Sequence, residues 1–229
     1  MKTSNQRRVI LIILCTHNNG GVGKTTLAVH ITGVLISKFP WARTLLLDCD
    51  DQHQAWEFFA PSKPKKELEV FLEDNLSLIY NPKRENLLNI VDPTQYDHIV
   101  IDAKGAREDT VKVIVNDNPD KILIPINASQ KSKALGNLDR ILGMVSKLES
   151  NTGLPDKVQV TIVPLGVSKD IINNKLETIS IVPHQCEISQ EIRYLQDEMQ
   201  EALYEDKKYI WTYENCEDLY ENFCSLINL

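Results

Sequence analysis

Nothing in these 229 residues approaches the ~18 consecutive apolar residues of a membrane-spanning helix, which argues against an integral membrane protein. There is no C-x-x-C pair. The five cysteines, at 15, 49, 186, 216 and 224, are odd in number and scattered, so free thiols in a reducing cytoplasm are expected rather than a disulfide framework or a metal cluster. No internal repeat and no domain linker interrupts the chain, and no N-K-x-D sequence points to guanine. Positive charge is scarce in one region only. Residues 187–229 carry 3 basic and 11 acidic side chains against 22 and 21 in residues 1–186, so the net charge of −7 belongs to the tail and partners must be argued by region.

What remains is an ordinary globular composition, 42% hydrophobic and 25% charged. The length suits one sizeable α/β domain over residues 1–229, with an acidic helical segment from about 187 to the end. A basic start before the apolar run Val9 to Cys15 has the look of a leader peptide. That run feeds directly into a glycine-rich loop, so it is expected to stay.

The loop is His17-Asn18-Asn19-Gly20-Gly21-Val22-Gly23-Lys24-Thr25-Thr26. An apolar strand before it and a helix-compatible run to Lys38 after it, stopped at Pro40, present backbone N–H groups to a chain of phosphates. Its Gly-Lys-Thr end fits the phosphate-loop pattern, although Asn18 stands where G-x-x-x-x-G-K-[ST] begins with glycine. Lys24 is placed for the β- and γ-phosphates, the backbone from Gly20 to Thr26 wraps them, Thr25 suits Mg²⁺ and Thr26 the α-phosphate.

Further buried strands are expected over Arg43 to Asp48, Tyr96 to Asp102, Lys121 to Ile126, Lys157 to Pro164 and Ile179 to Pro183. Helices are expected over Leu135 to Leu148, Ser189 to Glu205 and Tyr213 to Ile227, with an exposed Pro/Lys-rich loop at 60–67 and a short helix or strand within Leu68 to Asn86. Strands alternating with helices predict an α/β fold, a mostly parallel sheet with helices on both faces. Ligands bind such sheets at the carboxyl ends of the strands, where residues 17–26, 48–52 and 102–107 all fall.

Gly20 to Thr26 resembles the deviant Walker A box of the ParA/MinD family of partition and positioning ATPases, whose fold is a P-loop NTPase. In that family a lysine before the Gly-Gly pair reaches across an ATP-bound dimer to the partner's nucleotide. Here that position is Asn19, which can hydrogen-bond but brings no charge. The McdA-type branch, which spaces carboxysomes, is similar in lacking that lysine and draws on one from its C-terminal half. Lys131, Lys133 and Lys147 are the candidates here, with Lys104 another after a strand end.

The resemblance also implies roles for the acids. Asp48-Cys49-Asp50-Asp51-Gln52 is similar to the family's D-x-D-P-Q switch segment with Asp51 in place of proline; Asp50 would then orient the hydrolytic water and Asp48 support the Mg²⁺ shell. Asp102 matches a Walker B aspartate that holds Mg²⁺ through water. Gly105 would offer its N–H to the γ-phosphate, and Pro164-Leu165-Gly166-Val167 with Pro183 would lie by the adenine.

Implied cofactors are ATP and Mg²⁺; implied partners are a second copy in the ATP state, a cargo adaptor and non-specific DNA of the nucleoid. Lys63, Lys65, Lys66, Lys83 and Arg84 are the candidate DNA contacts. No membrane is expected, because the stripe Cys216, Leu219, Tyr220, Phe223, Leu226 and Ile227 shares its helix with Glu214, Glu217, Asp218 and Glu221. Two rival classes stay open. One is an ATP-dependent metabolic enzyme resembling dethiobiotin synthetase or cobyrinic acid amidase, and the other an ATP-gated binding module that scarcely hydrolyses.

Overall fold

The computed structural model describes residues 10–103, 107–152, 158–193 and 195–227. In chain order its elements are β1 (Leu11–Cys15), α1 (Lys24–Lys38), β2 (Thr44–Cys49), α2 (Gln54–Phe59), β3 (Val70–Glu73), β4 (Leu76–Tyr80) and α3 (Leu87–Ile90). There follow β5 (His98–Ala103), α4 (Arg107–Asp117), β6 (Lys121–Asn127), α5 (Lys131–Thr152), β7 (Gln159–Leu165), α6 (Lys169–Leu176), β8 (Cys186–Ile188), α7 (Gln196–Gln200) and α8 (Asp218–Ile227). The strands form one sheet in the order β3-β4-β2-β5-β1-β6-β7-β8, and every adjacent pair is parallel except β3 with β4. This is the α/β architecture that the strand–helix alternation predicts.

Pleating sends neighbouring residues of each strand to opposite faces. Ile13, Cys15, Leu46, Val100, Leu123 and Val163 go to the face covered by α1, α2, α8 and the segment before α8. Leu14, Leu45, Leu47, Ile99, Ile101 and Ile162 go to the face covered by α4, α5 and α6. The central strands are buried on both faces, which is why they read as unbroken apolar runs. β1 lies between β5 and β6, and β2 lies on the far side of β5, so strand order reverses around β1 and opens a crevice at its carboxyl end.

Three sequence expectations fail in whole or part, the last helix among them, which begins at Asp218 and not at Tyr213. Ile179 to Pro183 is not a strand: Ile181 and Val182 are 50% and 43% exposed, and the edge strand is the following Cys186–Ile188. The helix expected from Ser189 starts only at Gln196, because Ile192 bridges to Leu165 and extends the sheet edge instead. The apolar stripe of α8 is buried. Leu219, Phe223, Leu226 and Ile227 pack into the core against α1, and so cover their own domain.

One buried histidine ties that C-terminal packing to the loop. His30 of α1 donates from Nδ1 to the Thr26 carbonyl at 2.7 Å and accepts at Nε2 from the Ile210 N–H at 3.0 Å, a pairing that requires the neutral ring. Its ring stacks on Phe223 and meets Trp211 and Tyr209 edge-on. Gly33, one turn further, leaves room for the Tyr209 ring, which a Cβ would strike.

Burial lowers the His30 pKa from 6.5 to about 4, outweighing the hydrogen bond to Thr26. The depressed pKa gives stability that is complete above pH 6.5 and lost as pH falls towards 4, about 3 kcal/mol in all. Buried Asp117, pushed up to about 6 by desolvation, titrates with the opposite sign. The measurable quantity is therefore a difference. The stability gap between the wild type and His30→Leu in urea denaturation is expected to shrink by about 3 kcal/mol from pH 7 to pH 4. A gap independent of pH would contradict a neutral buried ring.

Candidate functional site

β1 delivers the chain to the loop, and two left-handed glycines shape it: Gly21 at φ 71° and Gly23 at φ 103°. Gly23 also sits close to the far wall: a Cβ there would stand 2.5 Å from Leu165 Cδ1 and push that side chain aside. Gly23 caps α1 without a side-chain hydrogen bond, so the first N–H groups of that helix face the crevice. Lys24 is 6% exposed, and its ammonium donates to the Asn19 carbonyl at 2.8 Å. Burial lowers its pKa, and the charges of Asp102 and Asp50 pull it back up.

The loop is fastened to the start of α5. Asn19 donates from its amide to the Lys133 carbonyl at 2.7 Å, and its amide oxygen accepts from Asn137 at 3.0 Å. His17 accepts the Asn19 N–H at Nδ1 and meets the Ala134 carbonyl at Nε2, which fixes the neutral tautomer. Burial first, with the Lys24 charge adding, brings the His17 pKa down to about 4. Asn19 thus points into its own domain.

The acids arrive on β2 and β5, neighbours in register at Asp48 and Asp102. Asp48 is fully buried and takes the N–H of Asp50 at 3.0 Å and of Trp56 at 2.8 Å, one on each oxygen. It holds the segment 48–56 in shape. His53, at φ 45°, makes the bend into α2, and Asp50 accepts the N–H of Gln52. Asp102 is also fully buried, yet neither carboxylate oxygen has a hydrogen-bond partner among the described residues. The Thr25 hydroxyl is close enough to favour its charged form without making a short bond. Desolvation raises both acids; the Asp102 charge raises Asp48 further, and the Asp50 charge adds to both. A buried, unpartnered carboxylate beside a threonine hydroxyl offers oxygen ligands of the kind a hard divalent ion takes, while the nearby Lys24 ammonium suits the phosphates instead.

One cavity joins these parts. Gly20, Gly21, Gly23, Lys24, Thr25, Thr26, Asp50, Gln52 and Gln54 form its phosphate side. Its other wall is Leu165, Arg193, Leu195, Gln196, Met199, Gln200 and Tyr204, with Asn127 and Ser129 beside them. Sequence reasoning placed Pro164 to Val167 and Pro183 by the adenine, so it reached Leu165 but missed the stretch from Arg193 to Tyr204. Pro164 lies within β7, with its carbonyl taking the Ile192 N–H, and it does not line the cavity; Leu165, one residue on, does. Val22 is fully buried in the core and faces away, leaving only its backbone to the loop. Asn19 also stays off the cavity wall, and Gly105 and Lys104 lie outside the described residues.

The family model described as the CobQ/CobB/MinD/ParA nucleotide binding domain matches residues 13–211. The chain belongs to that family. Among solved structures it is similar to the ATP complex of a Cyanothece McdA variant in which one aspartate is replaced by alanine, at 22% identity over 96% of this chain and 95% of that one, with a TM-score of 0.71. It is similar as well to a plasmid partition protein of Borrelia burgdorferi bound to AMPPNP, at 18% identity over 96% and 99% of the two chains and TM-score 0.64. Cobyrinic acid a,c-diamide synthase from Mycobacterium smegmatis, with an ATP analogue and magnesium, aligns at 15% identity over 76% of this chain and 84% of its own, TM-score 0.57. At these identities the likeness establishes the fold. No curated protein matches the chain by sequence.

Proposed function

We propose that the chain is an ATP-driven positioning ATPase: it binds ATP with Mg²⁺ in this cavity and pairs with a second copy. The pair then holds non-specific nucleoid DNA in the cytoplasm until a cargo adaptor stimulates slow hydrolysis. The observation that carries this reading is the meeting of the glycine-rich loop and the segment after β2 on one cavity, with the unpartnered Asp102 carboxylate, fully buried and off the cavity's lining, close to Lys24 and Thr25. Mg²⁺ at Thr25 and Asp102 would supply charge neutralisation for the phosphates. Lys24 and the loop N–H groups grip the β- and γ-phosphates; Asp50, on the cavity wall and held by no described side chain, orients the attacking water. Asp48 acts through the switch segment it holds.

Nothing at position 19 reaches out to a partner's phosphates. Lys131 and Lys133 are exposed at the end of α5 to which the loop is fastened, and they are the cations offered there. Lys147, also exposed, is 14 residues further along α5, about 20 Å by helical rise, which sets it away from the loop. For DNA the patch is thinner than the sequence implies, since Lys63 pairs with Glu57 at 3.3 Å and Lys83 with Glu67 at 2.7 Å. Lys65 and Lys66 stay exposed, and pairing two copies would double them.

Mass in solution tests the reading. With ATP·Mg²⁺ the Asp50→Ala variant is expected to accumulate as a dimer, with ADP as a monomer, and the dimer to bind duplex DNA more tightly at low salt. A monomer under every condition would remove the dimer mechanism. A dimer indifferent to DNA at low salt would remove the nucleoid. An ATP-bound chain that turns over without dimerising would favour the metabolic-enzyme class.

A further inference from the structure

The cavity is bounded by two parts of the chain that are 150 residues apart, and one hydrogen bond spans them. The Tyr204 hydroxyl meets the Gln54 amide oxygen at 3.2 Å, joining the wall made by the C-terminal segment to the first residue of α2, at the end of the switch segment. Only the phenol can donate in this pair. Burial raises the phenol pKa, with the Asp102 and Asp50 charges adding, so the proton stays in place.

The backbone beneath Tyr204 is built to hold it there. Residues Glu201–Asp206 form a π-helical turn continuing α7, a geometry that re-aims side chains and concentrates at functional sites. Lys207 ends the turn in the left-handed region, at φ 54°. Ala202 and Leu203 are 0% and 1% exposed in the core, while Tyr204, next along, is 42% exposed. A turn anchored in the core through Ala202 and Leu203 therefore carries the half-exposed Tyr204 side chain to the cavity wall. Arg193, on the same wall, is by contrast tied outwards to the Asn215 carbonyl and to Asp218 at 2.9 Å.

We propose that Tyr204 is a clasp on the nucleotide site, whose hydroxyl bond to Gln54 closes the cavity between the C-terminal wall and the switch segment and thereby sets the rate at which nucleotide leaves. This rests on the cavity being the nucleotide site. It makes the C-terminal segment a working part of the switch: nucleotide enters and leaves when the Tyr204–Gln54 bond is open, and closure holds α2, and with it the switch segment, over the bound phosphates. The bond belongs to the closed cavity whether ATP or ADP is inside, so its loss accelerates release of both.

The test is a displacement experiment in stopped flow. Fluorescent N-methylanthraniloyl ADP and ATP are chased with Mg²⁺ and unlabelled nucleotide from the wild type, Tyr204→Phe, Gln54→Leu and the double variant. A hydrogen bond of ordinary net strength predicts release about 5- to 10-fold faster in each single variant. The double variant is expected to be no faster than either single one, because both substitutions break the same bond. Equal melting temperatures of the nucleotide-free proteins separate this from a general loosening. Unchanged release in the single variants, or effects that multiply in the double variant, would overturn the clasp while leaving the nucleotide site intact. Failure of the wild type to bind either labelled nucleotide would overturn the site itself and the clasp with it.

Discussion

Lys24→Ala is expected to weaken ATP·Mg²⁺ binding by roughly two to three orders of magnitude in titration calorimetry. The lysine is almost fully buried, so its ammonium meets the phosphates in a dry site, where charge-assisted hydrogen bonds are worth about 1.5–3 kcal/mol each. Two such bonds correspond to the predicted range. In the free protein the same ammonium is spent on the Asn19 carbonyl, a neutral acceptor that a phosphate oxygen would displace at small cost. Its removal also strips Asp102 of the positive charge that partly offsets its burial, so the Asp102 pKa should rise further. Unaltered affinity would mean that the crevice is not a phosphate site.

Asp102→Asn should do two things of opposite sign. The wild-type carboxylate has its pKa raised by desolvation, with Asp50 adding and Thr25 and Lys24 pulling the other way. A raised carboxylate pKa makes the folded state hold its proton longer than the unfolded one. Stability is then greatest below the unfolded value near 4 and declines as pH rises through the folded value. Replacing the acid with an amide removes that decline. The nucleotide-free variant is expected to be more stable than wild type at pH 8, by on the order of 2–4 kcal/mol in chemical denaturation, and by little at pH 4. In exchange it should lose most of the Mg²⁺ dependence of nucleotide binding, about 10-fold or more, because the metal shell loses its charged anchor. A variant less stable than wild type at pH 8, with Mg²⁺ dependence intact, would show that Asp102 serves packing rather than a cation.

The phosphate side of the site was legible because its chemistry is local. A loop that needs positive φ must spell glycine at 21 and 23, and a buried strand ending in an acid spells itself at Asp48 and Asp102. The opposite wall was not, because no local rule marks it. Arg193, Leu195, Met199 and Tyr204 lie in an acidic, weakly patterned stretch, brought to the crevice by long-range contacts such as the bridge of Ile192 to Leu165. The error at the last strand has a similar origin. An apolar run, Ile179 to Pro183, invites a strand, whereas the real edge, Cys186–Ile188, carries Glu187 bonded to Gln159 and Thr161 and is disguised by its charge. The antiparallel hairpin of β3 and β4 escaped for want of strong alternation. Asn19 shows the limit most clearly. Its identity announces a missing lysine, but its bonds to Lys133 and Asn137 appear only in three dimensions.

The order of strands in the sheet has a consequence in time. The loop is made early, at residues 17–26, but β1 beneath it is fixed by β5 and β6, and the far wall of the cavity comes only with residues 193–204. On a ribosome adding about 5–20 residues per second, roughly 10–35 s separate synthesis of the loop from synthesis of the wall that faces it. For that interval the growing chain carries a phosphate motif without a binding site. ATP cannot template the fold from its first motif. It can only select chains whose sheet and C-terminal wall have already closed, so a truncated or stalled product would remain outside the nucleotide cycle.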